Sequence, residues 1–424
     1  MPAPAPAGLA DGHPLDESAE QQRRRLRIVV AASLLGTTVE WYDFFLYATA
    51  AGLVFNKVFF PNESSLVGTL LAFATFAVGF VMRPIGGLVF GHIGDRIGRK
   101  RSLALTMLIM GGATALIGVL PTAAQIGAWA PVLLAVEHSP GDRRGRYGAV
   151  PQVGLALGLA LGTGIFAFLQ IVLGPARFLS YGWRIGFLLS VLLVAIGIVV
   201  RLRVEETPAF RELQDLQAAS TVPIRDILRE RRSRRNTVLG LLSRWAEGSA
   251  FNTWGVFAIS YATGALGLNR VSVLIAVTIA ALLMAVLLPV SGVLTDRFGA
   301  RRVYLAGIAC YGLAAFPAFA LFGTKKLLWF GLAMVIVFGV VHALFYGAQG
   351  TLYSALYPTN TRYTGLSFVY QFSGVYASGV TPMILTALIA ALGGAPWLAC
   401  GYLVATAVIS VLATALIRDR DLYL

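Results

Sequence analysis

Glu40 and Asp43 stand three residues apart inside an apolar run from 28 to 52. On a helix that spacing puts both on adjoining parts of one face. Two carboxylates at such depth resist being ionised together, so one of them, Asp43 foremost, can load and release a proton. The competing reading is a structural pair bonded to a neighbouring helix. Arg244 and Glu247, in SRWAEGSAFNTW, repeat the three-residue spacing with opposite charges. Either they neutralise each other so that the helix can enter a membrane, or Arg244 grips a substrate carboxylate in its planar fork while Glu247 steadies it. Ionisable groups at that depth cost ~2.5–3.5 kcal/mol each on insertion scales, which makes each one a functional candidate. Uncharged polar candidates for the same space are Tyr42, Gln152, Asn252, His342, Tyr346, Gln349, Tyr370 and Gln371. Trp41 and Trp254 are either cavity walls or interfacial anchors. Arg83, just before Pro84, is expected near the cytoplasmic end of its span, snorkelling outward or capping the next loop.

These side chains need elements to hold them, and composition names the elements. The chain has 424 residues, 57% hydrophobic and 13% charged, with mean hydropathy +0.74. Soluble domains carry about 25% charged residues, so a cytosolic enzyme, a disordered chain or a disulfide scaffold is excluded. Apolar stretches near 28–52, 66–90, 102–120, 147–173, 184–202, 236–262, 271–295, 303–323, 327–356, 363–391 and 396–417 each approach the ~20 residues a bilayer-spanning helix needs. Period-2 alternation, the mark of barrel strands, is missing from them. Gly154, Gly158 and Gly162 recur every fourth residue, a spacing that lets helices pack closely in lipid. Cys310 and Cys400 both lie in apolar runs and imply neither a disulfide nor a metal centre. No H-E-x-x-H, nucleophile triad or phosphate loop suggests an enzyme, and no repeated filter-like loop suggests a channel.

Charge places the spans. Lys and Arg number 34 against 20 Asp and Glu, a formal charge of +14. In a soluble chain that excess would point to nucleic acid; in a polytopic one it belongs to cytoplasmic loops, and no nucleic-acid partner is expected. Residues 122–138, with Pro131 inside, form a twelfth apolar stretch, too short to span comfortably. If it crosses, 26 basic residues fall on the cytoplasmic side and 6 outside; if it does not, 13 fall inside and 19 outside. The positive-inside rule therefore favours twelve spans with a truncated fourth. The expected order is a disordered cytoplasmic tail (1–27), a first helix bundle (28–202), a cytoplasmic linker (203–235), a second bundle (236–417) and a cytoplasmic C-terminus (418–424).

The halves share a motif. GHIGDRIGRKR begins at Gly91 and GVLTDRFGARR at Gly292, each after the second span of its half. Duplication of this kind is typical of secondary transporters. Asp95 and Asp296 are expected to accept hydrogen bonds at an adjacent helix start. Arg96, Arg99, Arg297 and Arg301 are expected to pair with carboxylates or lipid phosphates. With Gly91, Gly98 and Gly299 they would form a gating latch between the halves.

The paired motif resembles the loop signature of the major facilitator superfamily. EWYDF (Glu40 to Phe44), FATFAVGFVMRPIGG (Phe73 to Gly87), YGWR (Tyr181 to Arg184) and VEETPAF (Val204 to Phe210) are similar to its metabolite:proton symporter branch. That resemblance implies an all-α polytopic fold of two six-helix bundles with 11–12 transmembrane helices. It also implies a bacterial inner-membrane location, and alternating-access symport of a proton with a small organic acid such as shikimate or a dicarboxylate. No cofactor beyond the coupling proton is implied, and the bilayer is the surrounding partner of a monomer. Tyr370 with Gln371 matches a substrate-facing stretch of the family's eleventh helix. A proline/betaine-type osmolyte is the alternative cargo. The chain departs from the family after WAPVLL: Leu134 runs almost directly into Glu137-His138-Ser139-Pro140, and about a helix's worth of residues is gone. A transport-defective protein is the remaining alternative.

Overall fold

The computed structural model describes residues 19–97, 99–119, 149–203, 227, 229–358 and 361–423. Among them every regular element is helical. Helix α1 runs Ala19–Ala50 and continues through a π-helical turn, Ala51–Phe55, into Asn56–Val58. Then come α2 (Ser65–Ile97), α3 (Arg99–Val119), α4 (Ala149–Arg177) and α5 (Trp183–Arg203). Helix α6 is assembled from Arg231–Ser243, Trp245–Asn252, the π-helical turn Thr253–Phe257 and Ala258–Gly264. Helices α7 (Arg270–Phe298) and α8 (Ala300–Gly323) follow. Helix α9 joins Leu327–Ala333, Met334–His342 and Ala343–Ser354; α10 joins Arg362–Ser373, Gly374–Gly379 and Thr381–Ala391; α11 is Trp397–Leu416. Each of the eleven long apolar stretches thus becomes a helix. The expected short fourth span lies outside the described residues.

Hydropathy and length explain the arrangement. Arg270–Phe298, with 29 residues, spans about 43 Å, enough to cross a ~30 Å hydrocarbon core with tilt. Its outward side chains Val286, Val293 and Ile279 are exposed, as are Leu313 on α8 and Leu328 on α9. Such an apolar exterior is stable only against lipid. Helix α1 begins at Ala19 rather than near residue 28, so part of the expected tail is helical. AEQQRRRLR consists of strong helix formers, and nothing in it stops the apolar helix from continuing outward.

Helices α1 to α5 pack on one another, as do α6 to α11, and the two groups meet where α4 lies along α7 and α2 along α10. Thr163 and Thr278 hydroxyls hydrogen-bond across the α4–α7 contact at 2.7 Å. At the end of the molecule where α1 and α6 both finish, the groups are closed together. The Phe45 ring stacks on Phe251 with centroids 4.9 Å apart, and Gly52 sits against Ser260.

The glycine spacing on α4 works as expected. A Cβ at Gly158 would lie 2.7 Å from the Trp41 Cβ and 2.8 Å from the Tyr42 nitrogen. Only hydrogen fits there, and the close approach fixes the rotation of α1 that aims Glu40 and Asp43.

Candidate functional site

On α6, Arg244 occupies the break between its first two segments. Its Nη1 donates to Ser373 Oγ at 2.7 Å and to the Tyr370 carbonyl at 3.2 Å, and its guanidinium lies 4.2 Å from the Tyr370 ring centroid. Nη2 stands 3.0 Å from Glu247 Oε2, an ion pair whose angle does not make a hydrogen bond. Nε is buried without a partner. Tyr370 in turn accepts from Gln349 Nε2 at 2.9 Å, while Gln349 Oε1 is unpartnered. Tyr346 lies one turn before Gln349 on the same helix. Helices α6, α9 and α10 therefore converge on one cation that holds a donor in reserve. Gly248 makes this possible, since a Cβ there would meet Ser378 Oγ at 2.6 Å and keep α10 away.

Asp43 is 2% exposed, and neither carboxylate oxygen has a hydrogen-bond partner. The hydroxyls of Thr114 on α3 and Ser190 on α5 lie within its reach. Each is turned instead to its own helix, onto Met110 O at 3.0 Å and Phe187 O at 2.6 Å. A carboxyl with no cation on it and two rotatable hydroxyls beside it suits a group that changes protonation. Glu40 is half-buried and interacts electrostatically with both Asp43 and Arg83.

Arg83 is where sequence and structure part. Helix α2 runs through Pro84, as the 66–90 stretch requires, and on to Ile97. For Arg83, packing among aromatic rings takes the place of the expected snorkelling or loop cap. Its guanidinium packs against the rings of Trp41 (5.2 Å), Phe44 (4.7 Å) and Phe80 (4.9 Å), and it senses the charge of Arg244 across the interface of the two groups.

The other expected residues divide. Tyr42 is fully buried, its hydroxyl donating to Gly186 O at 2.8 Å, so it joins α1 to α5 and takes no place beside Arg244. Gln152 is buried on α4 with Oε1 unpartnered. Gln371 is half-buried beside Tyr370. His342 is ringed by Phe251, Phe338, Phe345 and Tyr346, with both nitrogens unpartnered. Asn252 turns its amide onto Gly248 O, and Trp254 is buried against Phe319 and Phe322 rather than at an interface. Ser373, Thr114 and Ser190 had carried no signal, because small hydroxyl residues are common in membrane helices for packing alone.

Of the gating motif, Gly91, Asp95 and Arg96 fall within α2 and Arg99 opens α3, while Gly98 lies outside the described residues. Gly299 joins α7 to α8 at φ 88°, a conformation that favours glycine. Asp296 is exposed in the last turn of α7 and makes no hydrogen bond to a helix start among the described residues. Arg297 is exposed beside Phe298. Arg301 donates to Thr414 O and Ala415 O, capping α11 within its own group. Among the described residues no cluster of His, Cys, Asp and Glu could hold a metal ion.

Two groups of membrane-crossing helices around buried charges from both define a membrane transport protein rather than an enzyme. A family model for the Major Facilitator Superfamily matches residues 33–370 and 241–422. The chain is 36% identical to the shikimate transporter of Escherichia coli K12 over 420 positions, covering 94% of this chain and 95% of that one. It is 33% identical to the proline/betaine transporter of the same strain, covering 86% of this chain and 78% of that one. In fold it is similar to a D-xylose-proton symporter, with TM-score 0.66, 17% identity, and 93% and 97% of the two chains covered. The chain belongs to the Major Facilitator Superfamily. The 420 positions aligned with the shikimate transporter take in 94% of 424 residues, about 399, so about 21 positions have no counterpart here, close to one membrane-crossing helix.

Proposed function

We propose that this protein is a proton-coupled symporter of a small organic acid in a bacterial inner membrane. The carrying observation is Arg244: a cation buried at helix mid-depth, stacked on Tyr370, balanced by Glu247 and holding an unpartnered Nε. A guanidinium so placed is suited to a carboxylate. Gln349, Tyr346, Tyr370 and Gln371 would recognise the rest of the cargo. Asp43, with Glu40 beside it, carries the proton: it is sealed from water here and gains access when the groups rock. The closed end is the one opposite the basic loops, so the site faces the cytoplasm in this conformation. Gly91, Asp95, Arg96 and Arg99, with Asp296, Arg297, Gly299 and Arg301, would gate that movement. The protein acts as a monomer, with both termini cytoplasmic.

Likeness to the shikimate transporter favours a cyclic hydroxy-acid over an osmolyte. The aromatic box that a quaternary ammonium would need is filled by Arg83. The test is uptake of labelled shikimate into proteoliposomes of the purified chain. An inward proton gradient should raise accumulation at least tenfold, and an uncoupler should abolish it. Glycine betaine accumulating instead would select the osmolyte reading; no accumulation of either, restored by inserting a full-length fourth helix after Leu134, would select the transport-defective one.

A further inference from the structure

Arg83 on α2 and Arg244 on α6 lie on either side of the interface of the helix groups, linked through Phe80, which carries Arg83 and packs on Gly374, the neighbour of the Ser373 that Arg244 bonds. Each is stacked on rings of its own group: Trp41, Phe44 and Phe80 hold Arg83, and Tyr370 holds Arg244. Stacking occupies the face of a guanidinium and leaves its N–H edge to donate. Arg83 is half-buried at this interface. Phe80 also packs against Gly374 and Gly379 of α10, the helix that bears Tyr370 and Ser373, and a Cβ at Gly379 would meet Phe80 Cβ at 2.9 Å. The box around Arg83 and the platform under Arg244 are therefore seated on one another.

Placing a second cation here is costly, since a charge inside the membrane loses its hydration, and its repulsion of Arg244 adds to that. Contact with three rings offsets part of that cost, and Glu40 offsets part of the charge. The two guanidinium edges offer paired donors that suit an anion with two oxygens to share. We propose that Arg83 is a substrate-contacting residue, and that one carboxylate of the cargo is gripped between Arg83 and Arg244, one guanidinium from each helix group. The cargo is then an anion whose carboxylate bridges the halves, which draws them together only when it is bound. This rests on the organic-acid reading above and adds to it the residue from the first half and the bridging geometry.

The test is binding of shikimate and of its methyl ester to the purified full chain in nanodiscs. The ester keeps the ring and hydroxyls and loses the charge. In the unaltered protein the acid should bind at least tenfold more tightly than the ester. Arg83→Gln should lower acid affinity at least tenfold and leave ester affinity within twofold, collapsing the ratio. Arg83→Lys, which keeps charge but loses the fork, should fall between, and it carries the test should Arg83→Gln not fold. The double variant with Arg244→Gln should lose less than the product of the two single losses. Equal weakening of acid and ester by Arg83→Gln, or no change in either while Arg244→Gln still collapses the ratio, would overturn the bridge and leave the organic-acid reading standing. Binding of no carboxylate by the unaltered protein would overturn both.

Discussion

At the scale of single residues, the account divides labour between an acid that titrates and a cation that binds. Asp43 is buried with no cation on its oxygens, so its charge is tolerated only transiently. Asp43→Asn should therefore abolish accumulation driven by a proton gradient, at least tenfold, while exchange of labelled for unlabelled shikimate across the membrane continues. Counterflow measured in proteoliposomes checks this, and loss of both activities together would assign Asp43 a structural role. Arg244→Ala removes a charged donor set from a desolvated site. Hydrogen bonds to charged groups contribute ~1.5–3 kcal/mol, or roughly 10- to 150-fold in affinity, and that loss is what isothermal titration should read. Glu247→Gln leaves Arg244 without its counter-ion and should weaken the fold as well as binding.

At the scale of elements, close helix approach aims these residues. With its Cβ built at 2.7 Å from Trp41, Gly158→Ala overpacks the α1–α4 contact, and overpacking costs ~1–3 kcal/mol. A lower thermal midpoint together with weakened transport is expected; a midpoint unchanged from the parent would mean that α1 and α4 are not held at this distance. The spans were legible because lipid demands about 20 apolar residues and the chain supplies them in unbroken runs. The glycine stripe was legible because its period matches the helix. The surroundings of Arg83 were not: the span was read through to residue 90, but the three rings that hold the guanidinium come from two helices and leave no local pattern. Nor was the burial of Tyr42 against Gly186, a contact made by residues 144 apart.

At the scale of the whole molecule, the C-terminal segment binds the second helix group together. Arg232 donates to the carbonyls of Arg420, Asp421 and Leu422, Arg235 pairs with the Asp421 carboxylate, and the Tyr423 hydroxyl donates to Glu230. Sequence showed only a short polar end there, since the partners lie more than 180 residues away. Arg235 beside Asp421, and the Ser233 and Tyr423 hydroxyls on Glu230, hold both carboxyls below their ordinary range. Carboxyls depressed in the folded state contribute stability that is fully present above their unfolded values, about 4 to 4.5, and is lost as pH falls through the folded ones. Thermal unfolding of the purified protein should thus show a midpoint difference between the parent and Asp421→Asn at pH 7 that narrows as pH falls below about 4. A difference that persists or widens in acid would detach the clasp from these carboxyls.

The central claim is that cargo and proton cross together, and the most direct check is to let the cargo drive the proton. Proteoliposomes with a pH dye inside, and no initial pH difference, should acidify when shikimate is added outside; Asp43→Asn vesicles should take up label by exchange without acidifying. Shikimate entering the parent vesicles with the lumenal pH unmoved would contradict the account.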